Sequence, residues 1–220
     1  MSRMLVAALL SALLVVGCAT STPATLVPSS GPGLVAVGTI DDPAGDLVDG
    51  HAKPVGTPAY MDIRTLAAVA DGTTLRLTLT LAGVLPAAPS PTIERLAHMV
   101  ALHTDGDAVP GCNDVRVGMG YAVRLMNGAG GDYEPELIDW RGSDPIEYIG
   151  SDFPGTGAVR GDTVVLTVPL AALGDPHVTW VGAWTIQSDP ANGLRWTAAD
   201  FLPDSGADGC ATRDWITLGP

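Results

Sequence analysis

Basic residues are scarce in this chain. One lysine, Lys53, and ten arginines stand against 24 acidic residues, a formal charge of −13 over 220 residues. Phosphate binding needs a basic stripe, and these arginines are scattered, so nucleic acid is not an expected partner. Catalytic signatures are missing as well: no G-x-S-x-G, H-E-x-x-H or C-x-x-C occurs. The many acids permit a carboxylate pair for glycoside hydrolysis to be drawn, but nothing selects one pair over another. A catalytic role is therefore not expected. Helical periodicity is nearly absent, with single turns at Pro169–Leu173 and Pro91–Met99 as the candidates. Beyond the N-terminus, no run approaches the roughly 20 apolar residues that a membrane-spanning helix requires.

What the N-terminus does contain is an export signal. Arg3 precedes the uninterrupted apolar and small run Leu5–Val16, which is too short to span and has the length of a secretory core. Val15-Val16-Gly17-Cys18 resembles the bacterial lipobox, which implies cleavage after residue 17 and lipid on Cys18. Residues 18–33 are then a tether, because Ser, Thr, Pro and Gly bury too little surface to offset the entropy of ordering. One domain remains at 34–220, large enough for a sizeable core. The expected location is the outer face of a bacterial cell membrane, or the outer membrane where there are two. Cys112 and Cys210 are left as an even pair. Export favours a disulfide between them over two free thiols. Closing a loop of about 100 residues would stabilise the fold by about 4–5 kcal/mol in the chain-entropy model.

The body reads as strands. TLRLTLTL at Thr74–Leu81 puts four leucines on one face and Arg76, Thr78 and Thr80 on the other. Asp71-Gly72 before it is a hairpin signal, which makes Asp62–Ala70 its antiparallel partner. Further strands are expected at Leu34–Ile40, Ala97–Thr104, Gly120–Met126, Glu136–Trp140, Thr163–Val168, Val178–Ile186 and Trp215–Leu218. Arg160-Gly161-Asp162 spells an adhesion tripeptide but sits where a hairpin turn belongs. With 27 glycines and 18 prolines punctuating short strands, the fold class is all-β, a single antiparallel β-sandwich of immunoglobulin-like or jelly-roll type.

Several stretches in consistent order carry a family likeness. DPAGD at 42–46, YMDI at 60–63, LRLTLTLAG at 75–83, ALHTDGD at 101–107, VVLTVPLAALG at 164–174 and DFLPDSG at 200–206 resemble a DOMON or carbohydrate-binding family 9-like sandwich. That resemblance implies a secreted domain that binds sugars, haem or another ligand. It also implies a structural calcium beside the N-terminal acidic loop. The segment LVDGHAKPVGTPAY departs from the glycine- and tyrosine-rich run that follows DPAGD in some members.

Three ligand sets can be weighed on the residues. Calcium takes six to eight oxygens, and Asp42 and Asp46 flank a loop bent by Pro43 and Gly45. Asp62 opens the next strand, and the resemblance brings Asp204 close. These four carboxylates either share a calcium ion or bond to nearby amides as Asx turns. Asp105-Gly106-Asp107 begins like an EF-hand loop, but Val109 and Pro110 break the pattern. Five tryptophans suggest stacking on sugar rings. Trp180 and Trp184 share a strand face with Ile186 and read as core. Trp140 and Trp196 have polar neighbours and are the better platforms for a carbohydrate or cell-envelope glycan. Haem is not expected, because nothing in the spacing selects axial ligands from Met99, His103 and His177. The competing role is a structural, protein-binding domain of the envelope with no small ligand and a partner as yet undefined.

Overall fold

The computed structural model describes residues 35–42, 45, 47, 56, 58–87, 95–103, 119–127, 132–173, 180–188 and 198–202. Strands β1 (Val35–Asp41), β2 (Ile63–Ala70) and β3 (Thr74–Leu81) lead into β4 (Arg95–His103), β5 (Met119–Asn127) and β6 (Tyr133–Asp139). Then come β7 (Ile146–Ile149), β8 (Thr156–Arg160), β9 (Thr163–Pro169), β10 (Trp180–Ser188) and β11 (Ala198–Leu202). Short 3-10 turns occupy Gly150–Asp152 and Leu170–Leu173. The chain folds as an all-β sandwich: one sheet runs β1-β2-β3-β9-β8 and the other β11-β10-β4-β5-β6-β7, with every pairing antiparallel.

The alternation of β3 builds the first half of the core. Leu75, Leu77, Leu79 and Leu81 are all buried, against Leu66 and Ala68 of β2 and Val164, Leu166 and Val168 of β9. The facing sheet contributes Leu96, Val100 and Leu102 from β4, Tyr121, Val123 and Leu125 from β5, and Val181 and Ala183 from β10. Period-two side chains on two sheets leave one dry interior of this kind. Tyr121 crosses the interior, and its hydroxyl donates to the Leu173 carbonyl at 2.6 Å.

Turn chemistry follows the residues that encode it. Asp71 caps the β2–β3 hairpin by accepting the Thr73 and Thr74 amides at 2.9 and 2.7 Å. The Thr73 and Thr74 hydroxyls also bond to it, and these bonds hold its carboxyl well below the usual range. Gly72 supplies the left-handed residue, with φ of 84°. Arg160-Gly161-Asp162 is the tight β8–β9 connection, with Arg160 paired to Thr163 and Gly161 at φ 67°. The tripeptide is a turn.

Three strands differ from the sequence expectation. β7 is exposed at all four residues, so it has no alternation to read. β8 and β11 are short, and β11 buries Ala199, Asp200 and Leu202 together rather than in period two. The strand expected at Trp215–Leu218, the cysteines Cys18, Cys112 and Cys210, and the leader and tether lie outside the described residues.

Candidate functional site

The first site begins at the acidic loop. β1 ends at Asp41, which is exposed, and Asp42 behind it is buried and donates its amide to the Arg64 carbonyl at 3.0 Å. The chain then curls so that the Gly45 amide donates to Asp62 Oδ2 at 2.8 Å. Asp62 is itself buried at the mouth of β2. The loop is therefore held by a carboxylate 17 residues further on, rather than only by its own Asx turn. Asp46 and Asp204, the other two expected oxygen donors, lie outside the described residues.

A third buried carboxylate at this place was not among the sequence candidates. Asp200 on β11 points inward, opposite Thr185, and accepts the Ile63 amide at 2.5 Å. It ties the six-stranded sheet to the start of β2. The stretch DFLPDSG drew attention to Asp204 for its loop context, whereas Asp200 sits in a strand, where only the facing sheet reveals its partner. Among the described residues, no group of three or more carboxylate, imidazole or thiol side chains is arranged to hold a metal ion.

The second site is on the face of the six-stranded sheet that looks away from the core. On β10, Val181 and Ala183 face the interior, and the Thr185 hydroxyl donates to the Met61 carbonyl there. Trp184 and Ile186 therefore point the other way. Trp184 is buried, as expected, but outside the main core: it belongs to a separate cluster with Met99, Ala101, Ala122 and Ile138, flanked by Trp140 and Ile186. Trp180 belongs to β10, and Trp196 lies outside the described residues.

Cross-strand register arranges this face in rows. One row runs Trp184, Met99, Arg124, Glu136 across β10, β4, β5 and β6. The next runs Gly182, Ala101, Ala122, Ile138. Three small residues side by side make a floor beside the larger row, and all three are buried in the folded chain. Trp140 stands just past β6, its amide bonded to the Gly120 carbonyl at 2.9 Å, so it continues the same face two residues beyond Ile138.

Charge and hydrogen-bonding capacity are concentrated beside that floor. Glu136 is 1% exposed, and its Oε2 accepts from Arg124 Nε. Arg124 Nη2 reaches Glu147 of β7 at 4.0 Å. Glu136 Oε1 and the Trp140 indole N–H are both enclosed without a hydrogen-bond partner among the described residues. A buried carboxylate oxygen and an indole N–H left unmatched cost free energy unless a ligand or water meets them. On the opposite, core-side face at the end of β6, Arg141 lies over the Tyr121 ring at 4.4 Å and pairs with Asp139 at 2.7 Å. That pairing draws the Asp139 carboxyl below its ordinary value. Compared with known proteins, the chain matches no family model, no curated protein and no solved structure.

Proposed function

We propose that this protein is an exported, lipid-anchored binding module for carbohydrate or cell-envelope glycan, with its ligand on the outer face of the six-stranded sheet. The observation that carries the reading is the row of small residues Gly182, Ala101 and Ala122 between Trp184 and Trp140, with Glu136 Oε1 and Trp140 Nε1 enclosed and unmatched among the described residues. A sugar ring has an apolar face that stacks on indole and hydroxyls that both donate and accept. Glu136 would accept from one hydroxyl, Trp140 would donate to another, and Arg124 would hold the carboxylate in place. Anchoring through Cys18 and the tether would present this face to the envelope, and no catalytic step is invoked.

The expected result of a retention screen against envelope and plant polysaccharides is that at least one glycan is bound by the wild type. Trp140→Ala and Glu136→Gln should each weaken it by about tenfold or more, the usual cost of losing an anchoring contact. Trp196→Ala tests the second tryptophan nominated by the sequence. Failure to retain any glycan, or retention indifferent to both floor variants, removes the proposal.

Calcium at the acidic loop is a second part of the same reading. The donor chemistry fits a hard cation: Asp42 and Asp62 are buried carboxylates at one loop. They would hold the ion with Asp46 and Asp204, and its role would be to fasten the loop rather than to react. Because a ligand of the native state alone stabilises by mass action, the thermal midpoint should fall when chelator replaces saturating calcium, by several degrees at about 100 times Kd. Equal midpoints in the two conditions would refute the site.

A further inference from the structure

The six-stranded sheet is one strand wider than its partner, and the extra strand is β7. Among the described residues, four large apolar side chains are exposed, and three of them stand on this four-residue strand: Ile146 at 54%, Tyr148 at 37% and Ile149 at 46%. Among the described residues β7 pairs with β6 along one side only, which leaves alternate backbone N–H and C=O groups of its other side for a further strand.

Edge strands are ordinarily guarded by a lysine, a proline, a bulge or burial. The other three edges of this sandwich have such guards. β1 carries a register shift between Ala36 and Gly38. β8 exposes Thr156, Ala158 and Arg160, so its outward side carries no large apolar side chain. β11 buries Ala199, Asp200 and Leu202. β7 has the sequence IEYI, pairs with β6 without a register shift, and contains neither lysine nor proline. Among the described residues it is the edge strand with the largest exposed apolar side chains, and an apolar edge is a template for strand addition.

Charge selects the occupant. Asp144, Glu147 and Asp152 lie on or beside β7, and all are exposed. Glu134 of the neighbouring strand places Oε2 3.9 Å from where a Cβ on Gly150 would stand. The nearby guanidinium of Arg141 is already paired with Asp139. A second copy of this chain would set these acids, and a formal charge of −13, against themselves. An extended segment with alternating apolar and basic residues would meet both the apolar side chains and the acids.

We propose that β7 is a docking edge for a basic, extended segment of a partner protein, which adds to the six-stranded sheet as a seventh strand. The proposal is independent of the glycan reading, whose floor lies on the face of the sheet rather than at its edge.

The test titrates the full-length protein with a fluorescein-labelled short peptide of alternating valine and lysine, read by anisotropy and by amide hydrogen exchange. Three comparisons accompany it: the glutamate counterpart of the peptide, the lysine peptide N-methylated at alternate amides, and the variant Ile146→Lys/Ile149→Lys. Tyr148→Ser serves as a milder variant should the double change disturb the fold. The lysine peptide should bind, protect β7 amides from exchange, and lose about tenfold or more in affinity in the double variant. N-methylation should have a comparable effect, because it removes the ladder hydrogen bonds while keeping the charge. Equal binding of the N-methylated peptide would mean charge attraction alone, and equal binding by the β7 variants would place the contact elsewhere. Either result overturns the proposal. So would sedimentation showing a dimer that the β7 variants abolish, since the occupant would then be a second copy.

Discussion

Replacing Gly155 with alanine should lower stability by about 3 kcal/mol or more, at the upper end of what overpacking costs. Gly155 stands immediately before β8, where Thr156 pairs with Thr167 of β9. An ideal Cβ on Gly155 would lie 1.9 Å from the Thr167 carbonyl oxygen and 3.0 Å from Phe153 Cε1. The nearer atom is backbone, so no side-chain rotation relieves the contact. The start of β8 would have to separate from β9, and among the described residues β8 has no other strand to hold it. In a domain of this size, that cost corresponds to a fall in thermal midpoint of roughly 6–12 °C. Gly56→Ala is the matched control. Its Cβ would meet nothing within 4 Å, so its effect should stay within about 0.5 kcal/mol. Denaturant unfolding of the two variants decides the matter. A Gly155→Ala protein as stable as the control would mean that the chain does not approach itself there.

The second large effect is a loss of stability with mild acid that traces to His98. Its ring is wholly buried in the interior, with Nε2 3.0 Å from the Tyr60 carbonyl and Nδ1 enclosed without a partner among the described residues. The carbonyl can only accept, so Nε2 carries the proton and Nδ1 is the site that acid would charge. Burial makes that charge unfavourable and lowers the pKa from 6.5 to about 4, the bond to Tyr60 opposing the shift only in part. Above pH 6.5 both folded and unfolded chains hold a neutral ring, and this residue adds no pH dependence. Between 6.5 and 4 the unfolded chain takes up a proton that the folded chain refuses, so stability falls as pH falls. Below about 4 both states are protonated and the loss is complete, at about 3 kcal/mol. At pH 5 about 2 kcal/mol should already be gone. Urea unfolding at pH 7.5, 6 and 5 measures this. A His98→Gln variant should lose most of the slope between pH 7.5 and 5, above the range in which ordinary carboxylates mainly titrate. A wild-type slope unchanged by the substitution would assign the dependence to other groups.

The strands legible in advance are those with one wet face and one dry face. β3 appears at Thr74–Leu81, as its leucine alternation requires, and β2 falls within one residue of its expected start. The Asp71-Gly72 and Arg160-Gly161-Asp162 turns were legible because their geometry is written in local residues, an Asx acceptor and a glycine with positive φ. β7 and β11 escaped for opposite reasons. One is exposed throughout and the other largely buried, and period two disappears in both cases.

The candidate sites divide along the same line. Asp42 and Asp62 could be nominated from composition and order, and the structure buries both at one loop. Asp200 could not, because its partner is the Ile63 amide 137 residues away in sequence. Trp140 was singled out from its polar neighbours. Its association with Trp184 depends on β10 turning odd positions inward, which sequence periodicity alone leaves undecided: both faces of WVGAWTIQS are apolar.

By itself, then, the sequence of this protein determined local geometry: which segments extend, where they turn, and that alternating leucines must bury one face. Those outcomes depend on neighbours along the chain, through side-chain period and backbone sterics. Only the tertiary structure decided which face of β10 is outer, that β7 ends the six-stranded sheet among the described residues, and that Asp200 holds the start of β2. Each of these is a pairing between residues far apart in sequence, set by how two twisted sheets pack once the core closes, and no local pattern encodes it.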